Sequence, residues 1–114
     1  MIDAYAFGSM IINGKRYGKD VIILPDGSII HPWWRESGHR LTMADIPAIV
    51  ESSPDLLVVG TGDPGLMKPA KDLLDDFRAR GIAVRIAPTA RAVEVFNKAR
   101  RQSARVAGCF HLTC

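Results

Sequence analysis

The chain has 114 residues, of which 47% are hydrophobic and 24% are charged, a balance that is ordinary for a globular protein. This length is close to the commonest size of a domain, so we expect one domain over residues 1–114. No apolar run approaches the ~18 residues that span a bilayer, and Asp3 lies where a signal peptide would carry positive charge. These features argue against membrane insertion and predict a cytoplasmic protein.

The net charge of +3 is unevenly distributed along the chain. The first 57 residues hold five Lys/Arg and seven Asp/Glu, whereas the remaining 57 hold ten and five. Part of the excess lies near the end, at Lys98, Arg100, Arg101 and Arg105. Such a patch can attract polyanions, although a solvated helix face followed by a strand start explains it as well. No aromatic side chains interleave with these charges, so we do not expect nucleic acid as a partner.

The first third of the chain predicts an antiparallel, three-stranded meander. The segment YAFGSMIING ends at Asn13-Gly14, which is the strongest short hairpin signal. In DVIILPDGSIIHPWW, the turn Pro25-Asp26-Gly27 separates two apolar runs. Because proline fixes φ and glycine accepts a positive φ, this segment predicts a second hairpin.

The next segment changes to a helical period. Thr42 and Asp45 have the spacing of a weak capping box, and Pro54 ends the pattern. Proline is easily accommodated only in the first turn of a helix. Pro47 therefore leaves two alternatives, a helix capped later by Asp45 or a helix that begins with a distorted turn.

The second half alternates strands and helices. DLLVVG is an apolar run typical of a strand buried on both faces, and AVRIAP predicts another strand. Between them, Ala70, Leu73, Leu74 and Phe77 recur at helical spacing from Pro69, and Gly81 is a suitable stop. A helix capped by Thr89, with Val93 and Phe96 inward, precedes a last strand from Arg105 to about Thr113.

The predicted order is β-β-β-α-β-α-β-α-β. Alternation in the second half implies parallel pairing with right-handed crossovers, whereas the turns of the first half are too short for parallel strands. We therefore predict a three-layer α/β fold. A central mixed β-sheet is flanked by helices, and an N-terminal antiparallel β-meander precedes alternating α and β elements.

Three glycines after the DLLVVG strand, Gly60, Gly62 and Gly65, match the G-x-G-x-x-G pattern of dinucleotide-binding loops. That fingerprint needs a helix beginning within the loop and an acidic residue about 20 positions further on. Here the helix is expected near Pro69, and residues 86–88 are Ile-Ala-Pro. The pattern therefore indicates a tight turn, and we assign no cofactor.

A weaker possibility remains open for the turn Gly60-Thr61-Gly62. Strand ends of open α/β sheets are where ligands bind, and exposed N–H groups there could hold a small anion. Arg35, Thr89 and His111 are its candidate polar neighbours. Alternatively, the glycines only permit a sharp exit from the sheet.

Trp33-Trp34-Arg35 is a candidate contact surface for a protein partner. Adjacent strand residues face opposite ways, so one tryptophan is expected in the core and the other partly exposed. An exposed tryptophan beside an arginine is typical of protein interfaces. The alternative is that Trp34 packs under a loop.

The histidines and cysteines do not form a recognisable catalytic or metal-binding pattern. His31, His39 and His111 lack metal-ligand spacing, and no local carboxylate orients any of them. Cys109 and His111 share a strand face, but nucleophilic catalysis would also need an oxyanion site and an orienting group. Cys109 and Cys114, roughly 16 Å apart on a strand, are predicted to be free thiols, as in a reducing compartment. We assign no catalytic or metal-binding residue.

The chain as a whole resembles the domain of unknown function 498 family. The similarity lies in FGSMIINGKRYGKDVIILPDG, WWRESGHRL, LLVVGTG and PTARAVEVFNKARRQSARVAGCFHLTC, in this order. The family includes the adipogenesis-associated protein and the mitochondrial complex I assembly factor 3. The resemblance implies a three-layer fold and no established activity. It also implies an accessory role in assembly through a protein partner, although Asp63-Pro64 varies in the family and leaves the shape of that loop open.

Overall fold

The structure, a computed structural model, describes residues 1–102 and 105–114. Within these residues the strands are β1 (Ile2–Ala6), β2 (Ser9–Ile12), β3 (Lys15–Tyr17), β4 (Val21–Ile23), β5 (Ile29–Ile30), β6 (Arg40–Leu41), β7 (Leu56–Gly60), β8 (Lys68–Pro69), β9 (Ala83–Ala87) and β10 (Val106–Phe110). The helices are α1 (Pro47–Ser52), α2 (Lys71–Ala79) and α3 (Thr89–Gln102), and a 3-10 turn spans Met43–Asp45. The predicted junction between the last helix and the last strand falls at residues 103–104, outside the described residues.

The central sheet has five strands in the order β5-β4-β10-β7-β9. Strand β7 pairs in parallel with both β10 and β9, whereas β4 is antiparallel to β5 and to β10. The predicted fold class, a mixed α/β sheet with helices, is therefore confirmed. Leu57, Val58 and Val59 are fully buried, as the continuous apolar run indicated.

Two hydrophobic clusters cover the two faces of this sheet. On one face, Leu57 and Val59 pack with the side chains of α1 and α2, including Phe77. On the other face, Val58 packs with Phe96 of α3 and with residues of the N-terminal strands. This sheet between two layers places the carboxyl ends of β7 and β10 side by side.

The N-terminal antiparallel sheet is confirmed, but its strands differ from the prediction. The Asn13-Gly14 hairpin joins β2 to β3, and the Pro25-Asp26-Gly27 hairpin joins β4 to β5. An additional turn at Gly8, where φ is +79°, divides the first predicted strand into β1 and β2. The second predicted strand is also interrupted after Tyr17, so that β3 lies in the small sheet and β4 in the central one.

The segment after Thr42 takes the second of the two alternatives left open by Pro47. A 3-10 turn comes first, and α1 begins at Pro47 itself, where proline loses no helical hydrogen bond. The N–H and hydroxyl of Thr42 both donate to the Asp45 carboxylate, at 2.8 and 3.0 Å. Among the described residues, none of the helices combines the length and the apolar character needed to cross a membrane.

Candidate functional site

Three polar side chains from distant parts of the sequence meet at the carboxyl end of β10. Asp20 precedes β4, Arg35 follows β5, and His111 follows β10. One carboxylate oxygen of Asp20 lies 2.8 Å from Arg35 Nη1 and 2.8 Å from His111 Nδ1. The other oxygen accepts the backbone N–H of Leu112 at 2.8 Å. We call these three residues the Asp20–Arg35–His111 cluster.

The cluster holds a carboxylate in its ionised form. Burial by itself would raise the pKa of Asp20, but hydrogen bonds from His111, the Leu112 N–H and Arg35 outweigh it, so the pKa is lowered. Nδ1 of His111 lies 2.8 Å from this carboxylate, which can only accept, and 3.1 Å from Arg35 Nη2, which can only donate. The shorter, charge-assisted contact places the proton on Nδ1, and Arg35 Nη2 donates to the Gly38 carbonyl instead. In neutral His111, Nε2 is then the free lone pair of the ring.

Two nitrogen atoms of the cluster have no partner. Among residues 1–102 and 105–114, Arg35 Nε and His111 Nε2 are the buried side-chain polar atoms left without a hydrogen bond. Both side chains are more than nine-tenths buried, with exposed fractions of 5% and 9%. Arg35 also donates through Nη2 to the Gly38 carbonyl at 3.0 Å and lies over the Trp33 ring.

The two adjacent tryptophans have opposite environments. Trp33 is buried; its backbone N–H donates to the Asp20 carbonyl and its Nε1 to the Asp45 carbonyl, both at 2.9 Å. The side chain of Trp34 is 71% exposed. Trp33, named above as a contact candidate, is therefore a core residue, and Arg35 is buried with it. Trp34 alone of the three carries a large exposed side chain.

Trp34 stands at the edge of a recess of about 310 Å³ beside the cluster. The recess is lined by Gly18, Lys19, Trp34, Arg35, His111 and Thr113, among others. Its floor is thus the polar cluster and its rim carries one aromatic ring and one lysine.

The turn Gly60-Thr61-Gly62 does not present free amides to a ligand. The N–H groups of Thr61, Gly62 and Asp63 donate to Ala87 O, Thr89 Oγ1 and Thr113 O respectively, each at 2.9 Å. The hydroxyl of Thr61 also donates to the Ala87 carbonyl, at 3.1 Å. Helix α2 begins only at Lys71, so the third glycine is not part of a phosphate-binding helix start.

Steric contact explains the glycine at position 62. Its φ is +102°, and a Cβ atom there would lie 2.2 Å from the Thr113 carbonyl oxygen and 2.8 Å from His111 Cδ2. The alternative of a glycine that permits a sharp exit from the sheet therefore accounts for this position. The same close approach brings the turn against the His111 ring.

The candidate ligand residues form one connected network. Thr89 Oγ1 accepts the Gly62 N–H and donates to the His111 carbonyl at 2.6 Å, and His111 joins Arg35 through Asp20. Sequence reasoning missed Asp20, because it lies 91 residues from His111 along the chain. An acidic residue directly before the buried run Val21–Ile23 was the available signal, since a carboxylate at the start of a buried strand needs partners.

A family comparison decides the classification of the chain. Residues 2–111 match the model of the family described as "Protein of unknown function (DUF498/DUF598)". The chain belongs to the DUF498/DUF598 family. This confirms the resemblance seen in the sequence.

Solved structures of similar fold agree with this membership. The structure named MT938 has a TM-score of 0.84 at 26% identity, over 100% of this chain and 98% of that one. A conserved hypothetical protein from Pyrococcus horikoshii OT3 has a TM-score of 0.83 at 23% identity, over 100% and 99%. The XCC1710 protein of Xanthomonas campestris has a TM-score of 0.84 at 23% identity, over 98% and 83%. The last two identities support the fold alone.

In this DUF498/DUF598 protein, Cys109 is not placed to act as a nucleophile. Burial raises the pKa of the Cys109 thiol to about 12, and only the thiolate is reactive. Cys109 and Cys114 are both free thiols, the first buried and the second exposed. His31 packs edge-on against Tyr17, and among the described residues no group of His, Cys, Asp or Glu could hold a metal ion.

The four basic residues singled out near the end of the sequence do not form one surface patch. Arg100 Nη1 donates to the Pro25 carbonyl at 3.2 Å, and Arg105 Nε donates to the Ser53 carbonyl at 3.4 Å. Lys98 and Arg101 remain exposed and line a groove beside α3. Two of the four therefore contact the protein's own backbone, and of these Arg105 is exposed to solvent, as are Lys98 and Arg101.

Proposed function

We propose that this protein is a non-catalytic binding protein that contacts a protein partner through Trp34. The observation that carries the proposal is an exposed tryptophan fixed between two buried neighbours. Trp33 is held by hydrogen bonds to the Asp20 and Asp45 carbonyls, and Arg35 is paired with the Asp20 carboxylate. Trp34 therefore projects from backbone that is anchored on both sides.

This arrangement lowers the entropy that binding would cost. Immobilising a mobile loop costs entropy on binding, and the backbone on both sides of Trp34 is already held through Trp33 and Arg35. Tryptophan is also the residue type most enriched among those that dominate interface energies. The recess beside Trp34 offers room for one side chain of the partner, with Lys19 at its rim.

An accessory role in assembly is the finer part of the proposal. It is supported by the family, which includes the mitochondrial complex I assembly factor 3. A protein that positions partners without chemistry needs a fixed contact residue and no catalytic set. The buried, high-pKa Cys109 and the occupied amides of the Gly60-Thr61-Gly62 turn fit that requirement.

The test is quantitative affinity capture with three forms of the protein. Wild type, Trp34→Ala and Phe7→Ala are used as baits in lysate of the source cells, and bound proteins are counted by mass spectrometry. Phe7 is the matched control, since its aromatic side chain is 60% exposed and does not line the recess. We expect at least one protein to be lost from Trp34→Ala and retained by Phe7→Ala. Identical protein sets for all three baits would overturn the proposal.

A second candidate function is favoured by the two unpartnered nitrogens. Arg35 Nε–H is a buried donor without a partner in the same cluster as His111 Nε2, so a small carboxylate or phosphate held at the cluster would accept its hydrogen bond. In a thermal-shift experiment with acetate, malonate and phosphate, an anion at 100 times its Kd would stabilise the protein by about 2.7 kcal/mol. This candidate function is supported if an anion binds to the wild-type protein and the His111→Asn substitution abolishes that binding. It is ruled out if none of the three anions raises the melting temperature of the wild-type protein.

A further inference from the structure

The central sheet has an open edge at β9, the strand at the far end of the strand order from β5. Strand β9 is the last strand in the sheet order, and β7 is its hydrogen-bonded neighbour. The N–H of Ala83 donates to the Asp55 carbonyl at 3.1 Å, and the carbonyl of Ala87 accepts the Thr61 N–H at 2.9 Å. Since backbone groups of successive strand residues alternate in direction, those of Val84 and Ile86 point away from β7 toward the edge.

A groove lies on each side of this edge, and the two grooves differ in chemistry. The one next to α2, about 500 Å³, is lined mainly by apolar side chains, namely Leu74, Ile82, Val84 and Ile86, together with Arg78. The one next to α3, about 640 Å³, is lined by four cationic side chains, Arg85, Arg91, Lys98 and Arg101. Ile86, on the edge itself, is 45% exposed.

The α3 groove has an uncompensated positive charge. Glu94 is the one acidic residue among its lining residues, and its carboxylate lies 3.4 Å from Arg91 Nη1. Lys98 and Arg101, which are close to Arg100 and Arg105 in the sequence, thus belong with Arg85 and Arg91 in space. Their charges lie along one side of an edge strand, where they can face the side chains of an added strand.

We propose that the β9 edge binds an extended segment of a partner protein as a sixth strand, with acidic and apolar residues in alternation. Side chains of a strand point alternately to its two faces, so every second residue of the segment enters the basic groove and the others enter the apolar one. Backbone groups of Val84 and Ile86 hydrogen-bond to the segment, as in other cases of strand addition.

Charge favours a different chain over a second copy of this one. A β9 strand from a second copy would bring its own Arg85 and the cations of its α3 groove against the same groups. Like charges directly opposite one another across a strand pair are destabilising. An acidic segment gains from the same cations, and it binds at a surface distinct from Trp34, which follows the strand at the other end of the sheet order.

The test uses the full protein and a short fluorescein-labelled peptide of alternating Glu and Val. Fluorescence anisotropy measures the affinity of this peptide for the protein. The control is a labelled peptide of the same composition in which all Glu residues come first and all Val residues follow. We expect the alternating peptide to bind more tightly, and binding to weaken as salt is raised. Ile86→Pro should weaken it about fivefold relative to Ile86→Ala, since proline removes one outward N–H while Ile86→Ala retains it. Proline is tolerated where the strand N–H faces solvent.

A second pair of variants, Lys98→Glu and Lys98→Ala, tests the proposal even if the Ile86→Pro protein does not fold. The first should weaken binding about tenfold more than the second, because it reverses a charge instead of removing it. Equal affinity for the two peptide isomers, or no effect of either pair of substitutions, would overturn the proposal. The proposal would also be overturned if a single-stranded oligonucleotide bound to this groove more tightly than the alternating peptide. A wild-type dimer, seen in sedimentation and dissociated by Ile86→Pro, would overturn it as well.

Discussion

Asp20 accepts hydrogen bonds at both of its carboxylate oxygens and neutralises part of the charge of Arg35. Asp20→Asn removes that negative charge and leaves the guanidinium of Arg35 buried without a counterion. We expect a loss of about 3 kcal/mol in the free energy of unfolding at pH 7, measured by urea denaturation. The control Asp75→Asn breaks an exposed pair with Lys71 and should change stability by no more than about 0.5 kcal/mol.

The stability contributed by Asp20 should also depend on pH in a defined direction. Its pKa is lower in the folded protein than the ordinary value of 3.8, so the contribution is complete above that value. It is lost as the pH falls through the lower, folded pKa. The stability difference between wild type and Asp20→Asn should therefore shrink as the pH falls below about 4. A difference that grows on acidification would contradict the assignment.

Gly62 is the glycine whose replacement the structure forbids most clearly. A Cβ atom would clash with the Thr113 carbonyl and the His111 ring, and φ at this position is positive. Gly62→Ala should lower the free energy of unfolding by at least about 2 kcal/mol in urea denaturation. A Cβ atom at Gly38 would have no neighbouring atom within 4 Å, so Gly38→Ala should stay within about 0.5 kcal/mol of wild type. Equal effects of the two substitutions would refute the steric explanation.

Elements with a strong local pattern could be predicted from the sequence. The buried run Leu56–Gly60, the helix ending before Gly81 and the strand Ala83–Ala87 all follow from periodicity and turn residues. The division of the first third could not, because a run such as YAFGSMIING is compatible with one strand or two. Tertiary contact decides it, through the hydrogen bond from the Gly8 N–H to the Leu112 carbonyl at 2.7 Å.

The candidate site depends even more on long-range contact. Arg35, Thr89, His111 and the 60–62 turn could be named as polar candidates, but which of them meet depends on strand order. Asp20 joins the cluster because β4 pairs with β10, a pairing that no local pattern specifies. Different environments for Trp33 and Trp34 were expected from strand alternation, but β5 ends at Ile30 and neither residue lies in a strand. Trp33 is buried because its two N–H groups donate to the Asp20 and Asp45 carbonyls, which are long-range contacts that no local pattern specifies.

Thr89 ties the start of α3 to the ends of two strands. Its hydroxyl accepts the Gly62 N–H after β7 and donates to the His111 carbonyl after β10, and the residue is fully buried. Thr89→Val keeps the shape but leaves both groups without a partner. We expect a loss of about 2 kcal/mol in thermal or urea unfolding, against little change for the exposed Thr113→Val. A neutral Thr89→Val would show that the two strand ends do not depend on this contact.

At the scale of the whole molecule, the two candidate binding surfaces are separate. The recess beside Trp34 lies at the carboxyl end of β10, in the middle of the strand order, whereas β9 is the strand at one end of that order. Part of the excess positive charge in the second half of the sequence lies in the groove beside α3. Four cationic side chains line this groove, those of Arg85, Arg91, Lys98 and Arg101.

Fluorine NMR of the protein labelled with 5-fluorotryptophan tests the role of Trp34 most directly, since the chain has two tryptophans and an unlabelled partner is invisible. We predict two signals, of which only the one assigned to Trp34 by a Trp34→Phe variant shifts between H₂O and D₂O. A partner captured by wild type and lost from Trp34→Ala should move that signal, abolish its solvent shift and leave the Trp33 signal in place. A Trp34 signal that keeps its solvent shift in the saturated complex would contradict the account.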